Sequence, residues 1–206
     1  MITNLARNAV GRVRALSTTS MSTSKLYVAV IGVGLVGSEF LDQLTAIPSS
    51  SSPFQLIAFT SSKKQVLSTS THFTSESWRK ALESSSEQVN HDALSDSLSK
   101  LVSPTQKVVV VDNTSSDDIA KRYPGWLRAG LNIATPNKKA FSGDSSLYSA
   151  IVQEARQSRA RALHESSVGA GLPIINTLTE LVATGDNVCV CVSATMIPYS
   201  SQGVLQ

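Results

Sequence analysis

The stretch KLYVAVIGVGLVGSEFLDQLTAI, Lys25–Ile47, decides the fold. Tyr27 to Ile31 form a short run rich in β-branched residues, as expected of a strand. The run breaks into glycine, and Leu35, Val36, Phe40, Leu41 and Leu44 then recur at helical spacing. Gly32, Gly34 and Gly37 fall at G-x-G-x-x-G spacing between strand and helix. In such a turn the first glycine permits the tight reversal, the second lets the backbone approach a pyrophosphate, and the third lets helix pack on strand. Backbone N–H groups from Val33 to Val36 then point at the phosphates, aided by the helix N-terminus. The competing reading is a glycine turn that serves packing alone.

Outward from this unit, PSSSSP (Pro48–Pro53) breaks the chain and FQLIAFT (Phe54–Thr60) reads as a second strand, completing βαβ. Residues 61–103 are polar and serine-rich, a surface excursion with weak helix signals at Trp78–Leu82 and Ala93–Leu101; His72 and His91 are read as surface residues. KVVVVDNTSS, from Lys107, is a continuous valine run, as in a central parallel strand covered on both faces. It ends in Asp112 and Asn113, at the strand end where open α/β sheets place ligands. A helix near Asp117–Tyr123 follows, then a short strand in GLNIATPNKKAF. SSLYSAIVQEARQS is an amphipathic helix with Leu147, Ile151 and Ala155 on one face. RALHES reads as one more strand, and PIINTLTELVATG as a helix stopped by Gly185. The expected fold is α/β: a Rossmann-type doubly wound parallel sheet over 25–165, then a hinge turn and first helix of a second domain over 166–186.

With 206 residues, 41% hydrophobic and 16% charged, the chain has an ordinary globular composition. No apolar run is long enough to span a bilayer, so no membrane partner is expected. The net charge of +3 gathers at the start, in Arg7, Arg12, Arg14 and Lys25, with no acidic residue before Glu39. The remainder is close to neutral, which argues against nucleic acid. Residues 1–24 have the Arg- and Ser-rich, acid-free composition of a mitochondrial transit peptide. The competing readings are a disordered leader, or an upstream extension before a cytosolic start at Met21; a cytoplasmic protein is expected, with a mitochondrial one through the leader as the alternative. Cys189 and Cys191 share a face of an apolar run and are assigned no chemistry.

The end of the second strand bears on cofactor choice. An acidic residue there would bind a ribose 2′-hydroxyl, but Thr60, Ser61, Ser62, Lys63 and Lys64 contain no carboxylate. That set favours NADP(H) over NAD(H), unless Lys63 and Lys64 are merely solvated. DNTSS and TPNKK end two later strands, on the rim where a nicotinamide ring reaches. Asn, Thr and Lys groups there suit orientation of ribose and carboxamide and stabilisation of a developing alkoxide. In HESSVGAGLP (His164–Pro173), Glu165 is expected to end a strand before a glycine-rich turn. One carboxylate with backbone carbonyls suits a monovalent cation, with His164 beside it. The bland reading is a strand-to-helix turn whose glycines supply φ > 0.

VAVIGVGLVGS, VVDNTSS, IATPNKKAF and HESSVGAGLPII, in that order, resemble homoserine dehydrogenase, in particular its short monofunctional fungal form. The resemblance runs from about Lys25 to Asp186. It implies NADP contacts from Gly32, Val33, Gly34, Leu35, Val36 and Gly37, from Asn113, Thr114 and Ser115, and from Lys138, with Lys139 as the neighbouring choice. It implies a sodium-like cation on Glu165, Val168, Ala170 and, less directly, Leu172. It also implies reduction of aspartate semialdehyde to homoserine, on the route to threonine, isoleucine and methionine, in a homodimer. The family places its substrate-binding lysine and acidic residues, and most of its dimer contact, in a second domain. Residues 187–206, NVCVCVSATMIPYSSQGVLQ, depart from that pattern. The chain alone is therefore expected to bind the cofactor with negligible turnover. The alternative is a nucleotide-binding module without catalysis that pairs with full-length subunits.

Overall fold

The computed structural model describes residues 25–186. The leader at 1–24 and the tail at 187–206, with Cys189 and Cys191, lie outside the described residues. Six strands form one sheet: β1 (Leu26–Ile31), β2 (Phe54–Thr60), β3 (Gln65–Leu67), β4 (Val108–Asp112), β5 (Asn132–Ala134) and β6 (Ala162–Leu163). Their order is β3-β2-β1-β4-β5-β6. All neighbours are parallel except β3, which runs antiparallel to β2 at the edge. This is the Rossmann-type doubly wound sheet, and its order reverses between β1 and β4, where such sheets open a ligand crevice at the strands' carboxyl ends.

Helices cover both faces. On one lie α1 (Leu35–Ala46) and α2 (Ser77–Ser84), whose Leu41 and Trp78 pack with Val28, Val30, Phe59, Val109 and Val111. On the other, α3 (His91–Ser99), the short α4 (Asp117–Ala120) and α5 (Tyr123–Arg128) meet α7 (Ser145–Ser158) over Ala29, Ile31, Val108, Val110 and Ile133. Between β5 and α7 lies the short α6 (Lys139–Ser142). All five residues of β4 are buried, which is why its sequence is valine without alternation. A register shift between Val28 and Ala29 lets Ile57 and Ala58 of β2 both join the second cluster.

The serine-rich excursion departs from expectation. It holds an edge strand, and four of its apolar side chains, Phe73, Trp78, Leu94 and Leu98, are buried. Trp78 meets Phe59 edge-on at 6.2 Å, and Phe73 meets the same ring at 5.0 Å. The indole N–H of Trp78 donates to Asp42 Oδ1 at 3.1 Å, and the Arg79 guanidinium lies 4.4 Å from the Trp78 ring while pairing with Asp42. Serine dominates the composition, but a few large anchors fix the segment to the sheet. His91 is half-buried rather than a surface residue; His72 is exposed.

Two further differences lie at the far end. RALHES contributes only the two residues of β6, and Glu165 falls in a 3-10 turn, Glu165–Ser167, instead of ending a strand. The last helix, α8 (Ile174–Ala183), buries none of its residues against the rest of the described chain. Gly185, at φ +93, closes it as expected.

Trp78→Ala is expected to cost about 3–5 kcal/mol of unfolding free energy, the scale for deleting a buried aromatic side chain. Urea denaturation of the purified chain measures it. A loss below roughly 1 kcal/mol would mean that α2 rests on the sheet without anchoring it.

Candidate functional site

The crevice between β1 and β4 is built on the glycine turn. Gly32, at φ +89, reverses the chain, and its N–H and that of Val33 donate to Thr60 O at 3.0 and 2.9 Å, tying the turn to β2. A Cβ on Gly32 would lie 2.5 Å from Thr114 Cγ2, and one on Gly37 would lie 2.2 Å from Gly32 O. Both are contacts that no side chain tolerates. A Cβ on Gly34 would meet nothing within 4 Å. The first and third glycines thus serve packing, while the second faces open space at the start of α1, where a phosphate would need to come close. The N-cap residue Gly34 makes no side-chain capping bond, and α1 has no acidic residue in its first turn. Its first N–H groups therefore have no competing anion. Leu35 and Val36, 95% and 62% exposed, stand beside them as apolar surface.

Two buried polar atoms flank this turn without any hydrogen-bond partner: Thr60 Oγ1 at the end of β2 and Asn113 Nδ2 at the end of β4. A buried donor with no acceptor is costly and calls for a partner. Asn113 N donates to Ile31 O at 2.8 Å, so the residue is fixed while its amide is free. Thr114 touches the glycine turn through its methyl group, and its hydroxyl accepts from Ser116 N at 3.2 Å. Ser115 is exposed on the same loop.

Beneath the rim lies a polar cluster. Asp112 is fully buried. Its Oδ1 accepts from Thr114 N at 2.8 Å; its Oδ2 accepts from the Tyr123 hydroxyl and from Asn137 Nδ2 at 3.0 Å. The Asn137 amide, expected among the groups that face a ligand, instead turns inward and also donates to Ser116 O at 3.0 Å. A buried carboxylate demands donors more strongly than an open crevice does. Burial, with the Asp112 carboxylate beside it, drives the Tyr123 hydroxyl far above its ordinary range and keeps it a donor.

Among the lysines, Lys139 Nζ lies 3.6 Å from Asp117 Oδ2, whereas Lys138 has no ion-pair partner among the described residues. Lys64 donates its ammonium to Glu83 O, leaving exposed Lys63 as the cation of that pair turned to solvent.

At the candidate cation turn, Glu165 caps α8: Oε1 accepts from Ile175 N at 2.8 Å and Oε2 from Asn176 N at 3.1 Å. Gly169 and Ala170 carry φ of +69 and +54. Leu172 O already accepts from Ile174 N at 2.9 Å, while the Val168 and Ala170 carbonyls accept from no donor among the described residues. His164 stacks on Phe141 with centroids 4.0 Å apart and sits 3.4 Å from Ser167 Oγ through Nδ1. Burial holds its imidazole below the usual range, partly opposed by Glu165.

Residues 32–165 match the profile of the homoserine dehydrogenase NAD binding domain. The chain belongs to the homoserine dehydrogenase family. It is 38% identical over 175 residues to the homoserine dehydrogenase of Schizosaccharomyces pombe and 40% identical over 170 residues to that of Saccharomyces cerevisiae. In both cases 82% of this chain aligns with 46% of the relative, so it spans about half the length of the curated homoserine dehydrogenases it matches. Among solved structures, a Candida auris protein of unknown function superposes with a TM-score of 0.70 at 36% identity, over 80% of this chain and 45% of that one. A hyperthermophilic archaeal homoserine dehydrogenase mutant, solved in complex with NADPH, shares the fold at a TM-score of 0.59 and 22% identity, over 78% of this chain and 50% of that one. The oxidoreductase family and its nucleotide-binding domain thus stand on sequence as well as fold.

Tyr123 is the polar residue of this site that sequence spacing left unassigned, and Thr60 entered only in the set bearing on the 2′-phosphate. Thr60 lay in view at a strand end; nothing local marks Tyr123.

Gly34→Ala is expected to weaken nucleotide binding at least tenfold while changing stability by less than about 1 kcal/mol, since its Cβ meets only the space a phosphate would take. Gly37→Ala should instead lower the denaturation midpoint sharply. Similar stability losses in both variants would show that the turn serves packing alone.

His91 and His164 are both held below their reference value of 6.5, chiefly by burial. Below that pH the unfolded chain binds more protons than the folded one, so stability is complete above it and falls as pH drops through the lowered values. Urea midpoints measured from about pH 7 down to about 5.5 should decline, and His91→Gln with His164→Gln should flatten the decline. An unchanged slope in the double variant would assign the loss to other groups.

Proposed function

We propose that residues 25–186 are the cofactor-holding part of a homoserine dehydrogenase and bind NADPH in preference to NADH. The observation that carries this reading is the pair of buried, unpartnered groups, Thr60 Oγ1 and Asn113 Nδ2, on either side of a helix N-terminus with open space over Gly34. The first-turn N–H groups of α1 hold the pyrophosphate; Asn113, Thr114 and Ser115 line the next strand end; Lys138 brings a cation to the nicotinamide side. The preference for a 2′-phosphate rests on the absence of a carboxylate near Thr60 and on solvent-facing Lys63. When bound, the cofactor supplies a hydride to the carbonyl carbon of aspartate semialdehyde, giving homoserine once the resulting alkoxide takes up a proton. The described residues orient the cofactor, while the groups that orient the aldehyde, deliver the proton and pair two copies lie outside them.

The turn after β6 fits a monovalent cation. A carboxylate offers about four lone-pair sites. Two N–H donors leave Glu165 with capacity, and the Val168 and Ala170 carbonyls add oxygens, with Leu172 sharing its own with Ile174. A cation there supplies a fixed positive charge that ties the turn to Glu165.

Saturating NADPH, about a hundredfold above its Kd, is expected to stabilise the purified chain by about 2.7 kcal/mol in a thermal-shift titration, with NADH needing higher concentrations. Equal titrations would remove the NADPH preference; no shift with either nucleotide would overturn the reading. Exchange of sodium for potassium should move the midpoint, and Glu165→Gln should abolish that difference.

A further inference from the structure

Thr114 and Lys138 belong to two loops, after β4 and after β5, which share one buried partner. Both bond to Asp112. One carboxylate oxygen fixes Thr114 through its N–H at 2.8 Å. The other accepts from Asn137 Nδ2 at 3.0 Å, and Asn137 Oδ1 in turn accepts from Lys139 N at 3.1 Å, setting the chain direction at Lys138. Thr135 closes the ring: its hydroxyl donates to Asp112 O at 2.9 Å and accepts from Asn137 N at 2.9 Å.

The remaining donor comes from outside both loops. Tyr123, fully buried at the start of α5, gives its hydroxyl proton to Asp112 Oδ2 and lies 3.0 Å from Thr135 Oγ1. It thereby touches the carboxylate that holds the first loop and the hydroxyl that holds the second. Without it, Oδ2 would keep only the Asn137 amide, which also donates to Ser116 O, and would lose its hydroxyl donor. A buried carboxylate with too few donors reorients toward others.

We propose that Tyr123 is a positioning residue for the nicotinamide half of the cofactor site, its hydroxyl holding Asp112 so that the loops carrying Thr114 and Lys138 keep their spacing. The inference rests on the NADPH reading above. It assigns Tyr123 no contact with the cofactor. In this sheet order the adenosine half of a dinucleotide lies over β2 and the nicotinamide half over β4 and β5. The consequence is a selective one.

Tyr123→Phe keeps the ring against Trp126, 5.8 Å away between centroids, and removes only the hydroxyl. Binding of NADPH to the full chain should weaken roughly tenfold, the scale of one misplaced charge-assisted contact. Binding of adenosine 2′,5′-bisphosphate, which occupies only the adenosine half, should change by less than about twofold. Asn137→Ala cuts the same route at its other end and should show the same split, so it decides the matter if Tyr123→Phe does not fold. Equal weakening of both ligands, or of neither, would overturn the positioning role. If the unaltered chain bound neither nucleotide, the NADPH reading itself would fall, and that outcome is separate from a wild type that binds both and a variant that shows no split.

Discussion

Helix α1 can start where it does only because Gly37 has no side chain. Its α-carbon stands so close to Gly32 O that a Cβ would lie 2.2 Å away. This contact draws the first turn of the helix onto the end of β1 and leaves its N–H groups facing the crevice between β1 and β4. Thr60 and Asn113 become neighbours of one binding surface for the same reason, since the turn donates hydrogen bonds to the end of β2 and lies against Thr114 after β4. A larger third residue would push the helix outward and separate these groups. Preorganisation of this kind lowers the cost of ordering the site when a ligand arrives.

The second constraint is electrostatic. Asp112 is the last residue of the most buried strand, and a carboxylate there is tolerated only with donors around it. The chain gathers them from three elements: the loop after β4, the loop after β5, and α5. Sheet register alone would bring these strand ends within a few ångströms, but it would not fix loop conformation. The shared carboxylate does so by giving the loops a common partner. A close backbone approach thus sets the side of the crevice at the glycine turn, and a hydrogen-bonded carboxylate sets the side at the ends of β4 and β5.

What could be read from the sequence follows from how local each cause is. The glycine spacing, the valine run of β4 and the stop at Gly185 each answer a backbone or burial requirement met within a few residues, and each is visible in the chain. Trp78 was masked by its serine-rich surroundings, because its partners Phe59 and Asp42 come from other elements. The edge strand Gln65–Leu67 is three residues long and too short to show a period. Asn137 was legible as a polar residue at a strand end, but its inward turn depends on Asp112, 25 positions earlier. Tyr123 reads as an ordinary helix residue until that carboxylate is seen beneath it. Pairings across the sheet decide which polar groups face a ligand, and residue spacing does not carry them.

The turn after β6 shows how one carboxylate outside a helix can set its start. The N-terminus of α8 presents its unpaired N–H groups and the positive end of its dipole to Glu165. A cation brought to the same turn is repelled by that dipole unless the carboxylate lies between them. Glu165 binds the helix, while the carbonyls of Val168 and Ala170 belong to the loop that turns through positive φ at Gly169 and Ala170. Because α8 buries nothing against the sheet, this capping contact contributes more to its orientation than it would in a helix packed into the core. Under the proposed cation reading, a charge that drew on the same oxygens would act on the helix as well, and cation occupancy and the placement of α8 would be linked through a single side chain.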